Sequence, residues 1–175
     1  MDRRSPSDRV PSAGRRSTLR QTTRRAALDV DTSGMPERRT PLWDEMDARL
    51  RRRLDTLRRR DVPTTPGVYA LYRNGDAQYV GKASSLRTRF WGKHMGRGAS
   101  MTGSALRRNV TDLLGIASAA DIKARRYLPT ADDAARVVAW IRACEVAWIE
   151  TPTPADALDL EDAMKAEKLP PLTKR

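Results

Sequence analysis

A predicted β-hairpin between residues 66 and 90 constrains the fold of this chain more than any other stretch. The segment is PGVYALYRNGDAQYVGKASSLRTRF. A β-branched and aromatic run, Gly67 to Tyr72, precedes the pair Asn74-Gly75, and a second run covers Gln78 to Val80. Two such runs around Asn-Gly are a strong local indication of a hairpin. We therefore expect the remaining elements to pack around a small antiparallel sheet.

Charge and residue usage narrow the class of protein. The 175 residues carry a net charge of +12, supplied mostly by arginine, which favours nucleic acid or another anionic partner. Cys144 is the sole cysteine and His94 the sole histidine, so an internal disulfide and a Cys/His zinc site are excluded. If the protein uses a metal ion, carboxylate oxygens must hold it.

The sequence also gives expectations about location. A single cysteine suits a reducing compartment, and no apolar run approaches the ~18 residues of a membrane span. The N-terminus carries charge without an apolar stretch behind it, so we do not expect a secretory signal. We expect a cytoplasmic protein with no membrane partner, associated with the nucleoid when it is bound to DNA.

Residues 1–40 are predicted to be a disordered basic arm. They hold ten Arg against five Asp or Glu, and their apolar residues are too sparse to offset the entropy of ordering. The arm could follow a phosphate backbone without sequence preference, or it could be a solubilising leader. Composition alone does not choose between these two.

Residues 41–62 are predicted to form an amphipathic helix or linker. Apolar side chains recur at intervals of three and four, and Thr40-Pro41 is a suitable start. We expect the helix to dock on the domain behind it; a DNA-gripping or dimerising helix is the alternative. The apolar positions are Trp43, Met46, Leu50, Leu54 and Leu57.

Residues 63–175 are predicted to be an α/β (α+β) domain, a small three-stranded antiparallel sheet flanked by helices. The third strand is expected at 144–149, and a last helix should begin at Thr153-Pro154 and end near Lys168. Helices are also expected after Ser84, over 104–114 and over 131–142, whereas 121–127 could be strand or helix. The 61–128 part is basic and 129–175 acidic, so we expect the hairpin half to face phosphates.

The two tripeptides of the hairpin resemble those of the GIY-YIG nuclease family. They are Gly67-Val68-Tyr69 and Tyr79-Val80-Gly81, and Arg89 and Glu161 follow in matching frames. The resemblance covers about residues 66–173 and implies a metal-dependent DNA endonuclease of repair, restriction or mobile-element type. The alternative is a DNA-binding accessory module on the same fold with weak or lost catalysis. An RNA-directed role is less favoured, because the chain shows no aromatic series for stacking bases.

The resemblance also implies roles for individual residues. Tyr69 and Tyr79 would share the tasks of activating water and binding phosphate, in an order it leaves open, with Gly67 and Gly81 as structural motif residues. Arg89 would clamp the scissile phosphate, Lys82 could add a second charge, and Glu161 would hold Mg²⁺ or Mn²⁺. No small-molecule cofactor is expected, and the oligomeric state is open. We predict that DNA contacts come from Lys82, Arg87, Lys93, Arg97, Arg107 and Arg108.

Two residues depart from the family pattern, and three others have a competing interpretation. His94, a further catalytic candidate, lies one residue beyond the expected offset from Arg89, and Thr173 stands where the family usually has Asn. A weaker closing segment would leave room for reduced activity. Glu161 could instead pair with Lys165 on a helix surface, and Arg107 and Arg108 could form a solvated helix face.

The hairpin turn decides whether the two tyrosines can share one site. A two-residue Asn74-Gly75 turn in regular register would put Tyr69 and Tyr79 on opposite faces of the sheet. A three-residue loop over 73–75, with Gly75 left-handed in a G1 bulge, would pair the tyrosines directly and put both rings on one face. We predict the bulged loop.

Overall fold

The computed structural model describes residues 41–96 and 98–174. The predicted arm of 1–40, and Arg97 among the predicted DNA contacts, lie outside the described residues. The elements in chain order are α1 (Leu42–Asp47), β1 (Arg52–Arg53), a 3₁₀-helix (Arg59–Asp61), β2 (Gly67–Arg73), β3 (Asp76–Ala83), α2 (Leu86–Thr88) continuing as a π-helix (Arg89–His94), α3 (Ala105–Leu113), α4 (Ala119–Lys123), α5 (Ala131–Arg142), β4 (Glu145–Glu150) and α6 (Pro154–Glu167).

The sheet has four strands in the order β1-β4-β2-β3, all antiparallel, so the mixed α/β class is confirmed and the predicted strand number of three is wrong. Strand β2 is central and buried along almost its whole length. One face of the sheet packs with α3, α4 and α5, the other with α1 and α6. None of the described helices is long and apolar enough to cross a bilayer.

The prediction of one amphipathic helix over 41–62 is wrong. Helix α1 ends at Asp47, and Arg52–Arg53 instead pair with β4 as the extra strand. Trp43 and Met46 pack under one face of the sheet, Leu54 packs under the other, and Leu50 is 72% exposed. The periodic apolar positions therefore serve two cores at the edge of the sheet, because strand pairing overrides a weak local helix preference.

Most other elements follow local signals. Ser104 and Thr130 cap α3 and α5 with their side chains, and Thr153 with Asp156 forms a reciprocal capping box at α6. The ambiguous segment near residue 121 is helix α4. The helix after the hairpin is capped by Ser85, one residue later than predicted. The capping box at Thr153 fixes the start of helix α6, and this helix carries Glu161.

The hairpin loop differs from the prediction. Arg73 pairs with Asp76, and Asn74 and Gly75 have φ angles of 53° and 88°. These positive angles at both central residues match a two-residue type I′ turn, which Asn-Gly favours. The predicted three-residue loop with a G1 bulge is therefore wrong.

A bulge further along the hairpin nevertheless puts both tyrosine rings on one face. The register shifts between Leu71, which pairs with Tyr79, and Tyr72, which pairs with Ala77, so Gln78 is an extra residue in β3. Beyond the bulge Tyr69 lies opposite Gly81. Because side chains alternate, Tyr69, Leu71 and Tyr79 all face the same core. The shared face is confirmed, although a different bulge produces it.

The C-terminal segment completes the free edge of β3. The backbone N–H of Leu172 donates to the carbonyl of Gln78 at 2.9 Å, and the N–H of Val80 donates to the Thr173 hydroxyl at 2.9 Å. The Asn109 side chain on α3 donates to the Leu172 carbonyl at 2.8 Å in a buried position. Thr173 therefore satisfies the edge strand beside Tyr79, and Asn109, which the sequence did not single out, holds the segment.

Replacing Thr173 with Val should destabilise the protein by about 1–3 kcal/mol, because it leaves the buried Val80 N–H without an acceptor at nearly unchanged volume. Thr173→Ser keeps the hydroxyl and is the matched control. Urea denaturation should place the midpoint of Thr173→Val clearly below that of Thr173→Ser. Equal midpoints would show that the hydroxyl does not support the edge.

Candidate active site

The two hairpin tyrosines lie side by side over Gly81. Their ring centroids are 6.0 Å apart. A Cβ atom at Gly81 would lie 2.6 Å from Cε1 of Tyr79 and 2.8 Å from the Tyr69 hydroxyl, so only glycine leaves room for this pair. Gly67 is required for another reason, since its Cβ would lie 2.4 Å from the carbonyl oxygen of Ile149 in β4. Both motif glycines thus permit close approach.

A π-helix brings His94 to the tyrosines. The Met95 N–H donates to the Phe90 carbonyl at 2.8 Å, the five-residue spacing of a π-turn, which takes up one residue more than an α-helical turn. His94 Nε2 lies 2.5 Å from the Tyr69 hydroxyl. The extra residue of this turn matches the one-residue offset of His94 from Arg89, and the catalytic role of His94 stays a prediction.

His94 is held from its other side by the start of α3. Its Nδ1 lies 3.0 Å from Oγ of Ser104, which also accepts the N–H of Arg107 as the helix cap. Burial, with the nearby positive charges of Arg89 and Arg107, lowers the pKa of His94 to about 3. The imidazole is therefore neutral near neutral pH, so one ring nitrogen can donate a hydrogen bond and the other can accept one.

The lowered pKa of His94 predicts how the free energy of unfolding changes with pH. The unfolded chain binds a proton on this imidazole near pH 6.5, whereas the folded protein does so only near pH 3. The free energy of unfolding should therefore fall as the pH drops across this window, by up to ~1.4 kcal/mol per pH unit from this group. His94→Gln should lack this component.

Because His94 is the sole histidine, its imidazole NMR resonance can be followed without ambiguity. We expect the resonance to titrate near pH 3, or to change only on acid unfolding. A midpoint near pH 6.5 in the folded protein would contradict the buried, neutral state.

The phenols are protonated at neutral pH, and Arg89 lies near both. Burial raises the pKa of Tyr69 well above its usual value, and burial together with the Glu161 carboxylate raises that of Tyr79. The positive charge of Arg89 opposes both shifts, and it also lowers the pKa of His94 after the larger effect of burial. This half-buried guanidinium is thus electrostatically coupled to all three side chains.

Glu161 lies beside Tyr79 in a basic cleft of about 440 Å³. Glu161 as a whole residue is only 8% exposed, and the Lys165 ammonium lies 3.1 Å from its Oε1. Glu161 therefore forms the helical ion pair and also lines the cleft, and its role as a metal ligand stays a prediction. We define the basic cleft by its charged and aromatic lining: Tyr79, Arg108, Lys123, Glu161, Lys165 and Lys174.

The donor set limits the kind of metal site that could form here. Across residues 41–96 and 98–174, no three His, Cys, Asp or Glu side chains converge on one point. Glu161 is the single acidic residue of the cleft lining, and a cation, Lys165, already lies against it. Mg²⁺ is commonly held by one or two carboxylates with water and substrate phosphate completing the shell. The residues fit a site of that one-carboxylate type.

The family model described as the GIY-YIG catalytic domain matches residues 68–174. The chain belongs to the GIY-YIG family. Comparison with curated proteins and with solved structures gives no match. Membership supports a nuclease-type function and implies a nucleic-acid substrate. The resemblance seen in the hairpin motifs is thereby confirmed.

Three of the predicted DNA-contact residues of this GIY-YIG domain do not line the basic cleft: Lys82, Arg87 and Arg107. Lys82 pairs with Val68, whose side chain is buried in the opposite core, so Lys82 lies on the face away from the tyrosines. The guanidinium of Arg87 donates to the Val62 carbonyl at 2.8 Å. Lys82 was proposed as a second positive charge because it follows Gly81. Strand β3 continues to Ala83, however, so the alternation of side chains places Lys82 on the face opposite the tyrosines.

Arg107 is buried, whereas the sequence suggested either a DNA contact or a solvated helix face. It is 3% exposed, and its guanidinium donates to the carbonyls of Gly98 and Ser100 at 2.8 and 3.3 Å. It therefore holds the loop before α3 and does not line the basic cleft. Arg108 is half-buried and lines the cleft, and Lys93 is exposed, so these two remain open to nucleic acid.

The GIY-YIG motifs did not reveal the other cations of the cleft. Lys123 comes from α4, Lys165 from α6 and Lys174 from the C-terminal segment. Their separation along the sequence hides their proximity, and no local pattern marks them. Lys165 and Lys174 belong to the acidic 129–175 part of the chain, so cations from both parts line the cleft.

Proposed function

We propose that this protein is a divalent-metal-dependent endonuclease that hydrolyses DNA phosphodiester bonds. The observation that supports this best is that Tyr79 and Glu161 line one basic cleft, while Arg89, Tyr69 and His94 lie around the same phenol. Phosphodiester hydrolysis needs an aligned water, stabilisation of charge on the phosphoryl oxygens and help for the leaving oxygen. The side chains of this region could supply each requirement.

The cations of the cleft would receive the DNA backbone. Arg108, Lys123, Lys165 and Lys174 line it, and Arg89 adds a guanidinium near the phenols. Guanidinium groups bind phosphate oxygens in pairs, whereas ammonium groups act as point charges. We therefore assign the scissile phosphate to Arg89 and the neighbouring phosphates to the lysines.

Tyr79 is the phenol that faces the cleft, so we propose that it contacts the attacking water or the phosphate directly. The Tyr69 ring is 6.0 Å from the Tyr79 ring, and its hydroxyl is 2.5 Å from Nε2 of the His94 imidazole. Since both phenols are protonated at rest, removing a proton from water requires another acceptor. The neutral imidazole of His94 would orient the Tyr69 hydroxyl for this transfer, and because burial lowers its pKa to about 3 the proton would pass on to solvent rather than stay on the ring.

Glu161 would hold the Mg²⁺ or Mn²⁺ ion through its carboxylate. When bound, such an ion supplies charge stabilisation to the phosphoryl and leaving oxygens. The Lys165 ammonium must then leave the oxygen that the metal takes. The Thr173 contact keeps β3 and Tyr79 at the rim of the cleft while these groups rearrange.

Purified protein mixed with supercoiled plasmid tests the proposal. With Mg²⁺ or Mn²⁺ we expect conversion to nicked circles, and an excess of chelator should stop it. Fluorescence anisotropy with a labelled duplex should show binding that weakens steeply with salt. Salt-sensitive binding without nicking under either metal would contradict the enzyme and favour a DNA-binding accessory module.

A further inference from the structure

We propose that Lys165 is a placeholder cation that couples metal binding to DNA binding. In the metal-free protein its ammonium neutralises Glu161; when a duplex enters, a DNA phosphate draws the ammonium away and leaves the carboxylate to the metal. This inference rests on the proposed function, because it assumes that Glu161 is the metal ligand. It assigns Lys165 a positioning role within the cleft.

The ion pair is well sheltered for a contact within one helix. Lys165 Nζ lies 3.1 Å from Glu161 Oε1, and the two side chains are 20% and 10% exposed. Exposed pairs of this spacing contribute little, because water competes for both charges. Here both side chains are largely buried, and Lys165 is the cation within ion-pair distance of the Glu161 carboxylate among the described residues.

The pair cannot persist once a divalent ion is bound. A metal ion on Glu161 would lie within a few ångströms of the ammonium, and two positive charges at that distance repel strongly in a partly desolvated cleft. Lysine can respond, because its charge is a point on a flexible four-carbon chain. Asp162 lies 3.8 Å from Nζ and is exposed, so it offers a poor alternative partner.

A phosphate of bound DNA is the better partner. Lys165 lines the same cleft as Arg108, Lys123 and Lys174, where we place the backbone. Metal and DNA would therefore both favour the state in which the ammonium has left Glu161. Two ligands that favour one state strengthen each other's binding by the same factor.

Mn²⁺ binding, followed by electron paramagnetic resonance titration of the free ion, tests the inference without cleavage. In the absence of DNA, Lys165→Met should bind Mn²⁺ at least ~5-fold more tightly than the wild type. Lys123→Met is the matched control, because it removes the same charge from the cleft but not from Glu161; it should change the affinity by less than ~2-fold. Thermal unfolding confirms that each variant is folded.

The experiment with DNA uses the Arg89→Ala variant as its background, so that the duplex is not cleaved during the titration. A saturating duplex should tighten Mn²⁺ binding in that background, and adding Lys165→Met should reduce the enhancement at least ~5-fold. Unchanged Mn²⁺ affinity in Lys165→Met, or an equal effect of Lys123→Met, would overturn the inference while leaving the nuclease proposal intact. Full Mn²⁺ binding by Glu161→Gln would instead overturn the metal site itself.

Discussion

Replacing Glu161 with Gln is expected to lower the single-turnover rate of metal-dependent plasmid nicking by about 10³-fold. Glutamine keeps the size of the side chain but removes the charge, and the cleft lining has no second carboxylate to take over. Loss of the negative charge also frees Lys165, so duplex binding should be retained or slightly stronger. The defect should therefore lie in the chemical step.

The control for this variant is Asp159→Asn on the same helix. Asp159 is exposed and does not line the basic cleft, so the substitution removes one negative charge without touching the site. Nicking by Asp159→Asn should match the wild type. If Glu161→Gln retained a rate within tenfold of the control, Glu161 could not be the ligand of a required metal.

The second large effect is expected from the phenols. Tyr79→Phe and Tyr69→Phe should each reduce the nicking rate by about 10²-fold or more, the usual contribution of a group that takes part in proton transfer. Phenylalanine keeps the ring packing over Gly81 and deletes only the hydroxyl. Because the two hydroxyls act in one chain, the double variant should lose much less than the product of the two single effects.

Tyr72→Phe provides the comparison on the same strand. Tyr72 lies on the other face of the sheet, and its hydroxyl donates to Asp47 at 2.7 Å. Its loss should reduce stability by about 1 kcal/mol and leave nicking unchanged. Wild-type rates in both Tyr69→Phe and Tyr79→Phe, measured beside Tyr72→Phe, would rule out the proposed role of the phenols.

The hairpin could be predicted from the sequence, but its register could not. Alternating apolar residues around Asn-Gly identify both strands, and the turn chemistry favours the two-residue loop that is observed. The bulge at Gln78 has no local signature. It is stabilised by packing, because it turns Tyr79 toward one core while Ala77 and Val80 face the other. Tertiary packing therefore sets the register of the hairpin, which local residue preference does not specify.

The first element of the domain shows how a helical period can mislead. Residues 43–57 carry apolar side chains at helical intervals, but only the first two pack from one helix face. The backbone of Arg52–Arg53 finds its partners on β4, where Arg52 pairs with Val146 and Arg53 with Glu145. Nothing within the segment itself reveals the edge of β4.

The candidate site was predictable in its motif residues and not in its surroundings. Tyr69, Tyr79, Arg89 and Glu161 were named from characteristic frames, and the structure brings them into one region, while their catalytic roles stay predictions. His94 was named as a candidate one residue beyond the expected offset, and the π-helix that brings it to Tyr69 has no local signature in the sequence. The lysines of the cleft come together only through the packing of α3, α4, α6 and the C-terminal segment.

The nicking rate of Arg89→Ala tests the shared phosphate site most directly, because the charge of Arg89 reaches Tyr69, Tyr79 and His94 together. The control is Arg136→Ala, which removes an equal charge from the exposed face of α5. We predict that Arg89→Ala nicks plasmid about 10³-fold more slowly while duplex affinity falls less than ~10-fold, and that Arg136→Ala behaves as the wild type. Equal nicking by the two variants would contradict a common site around Arg89.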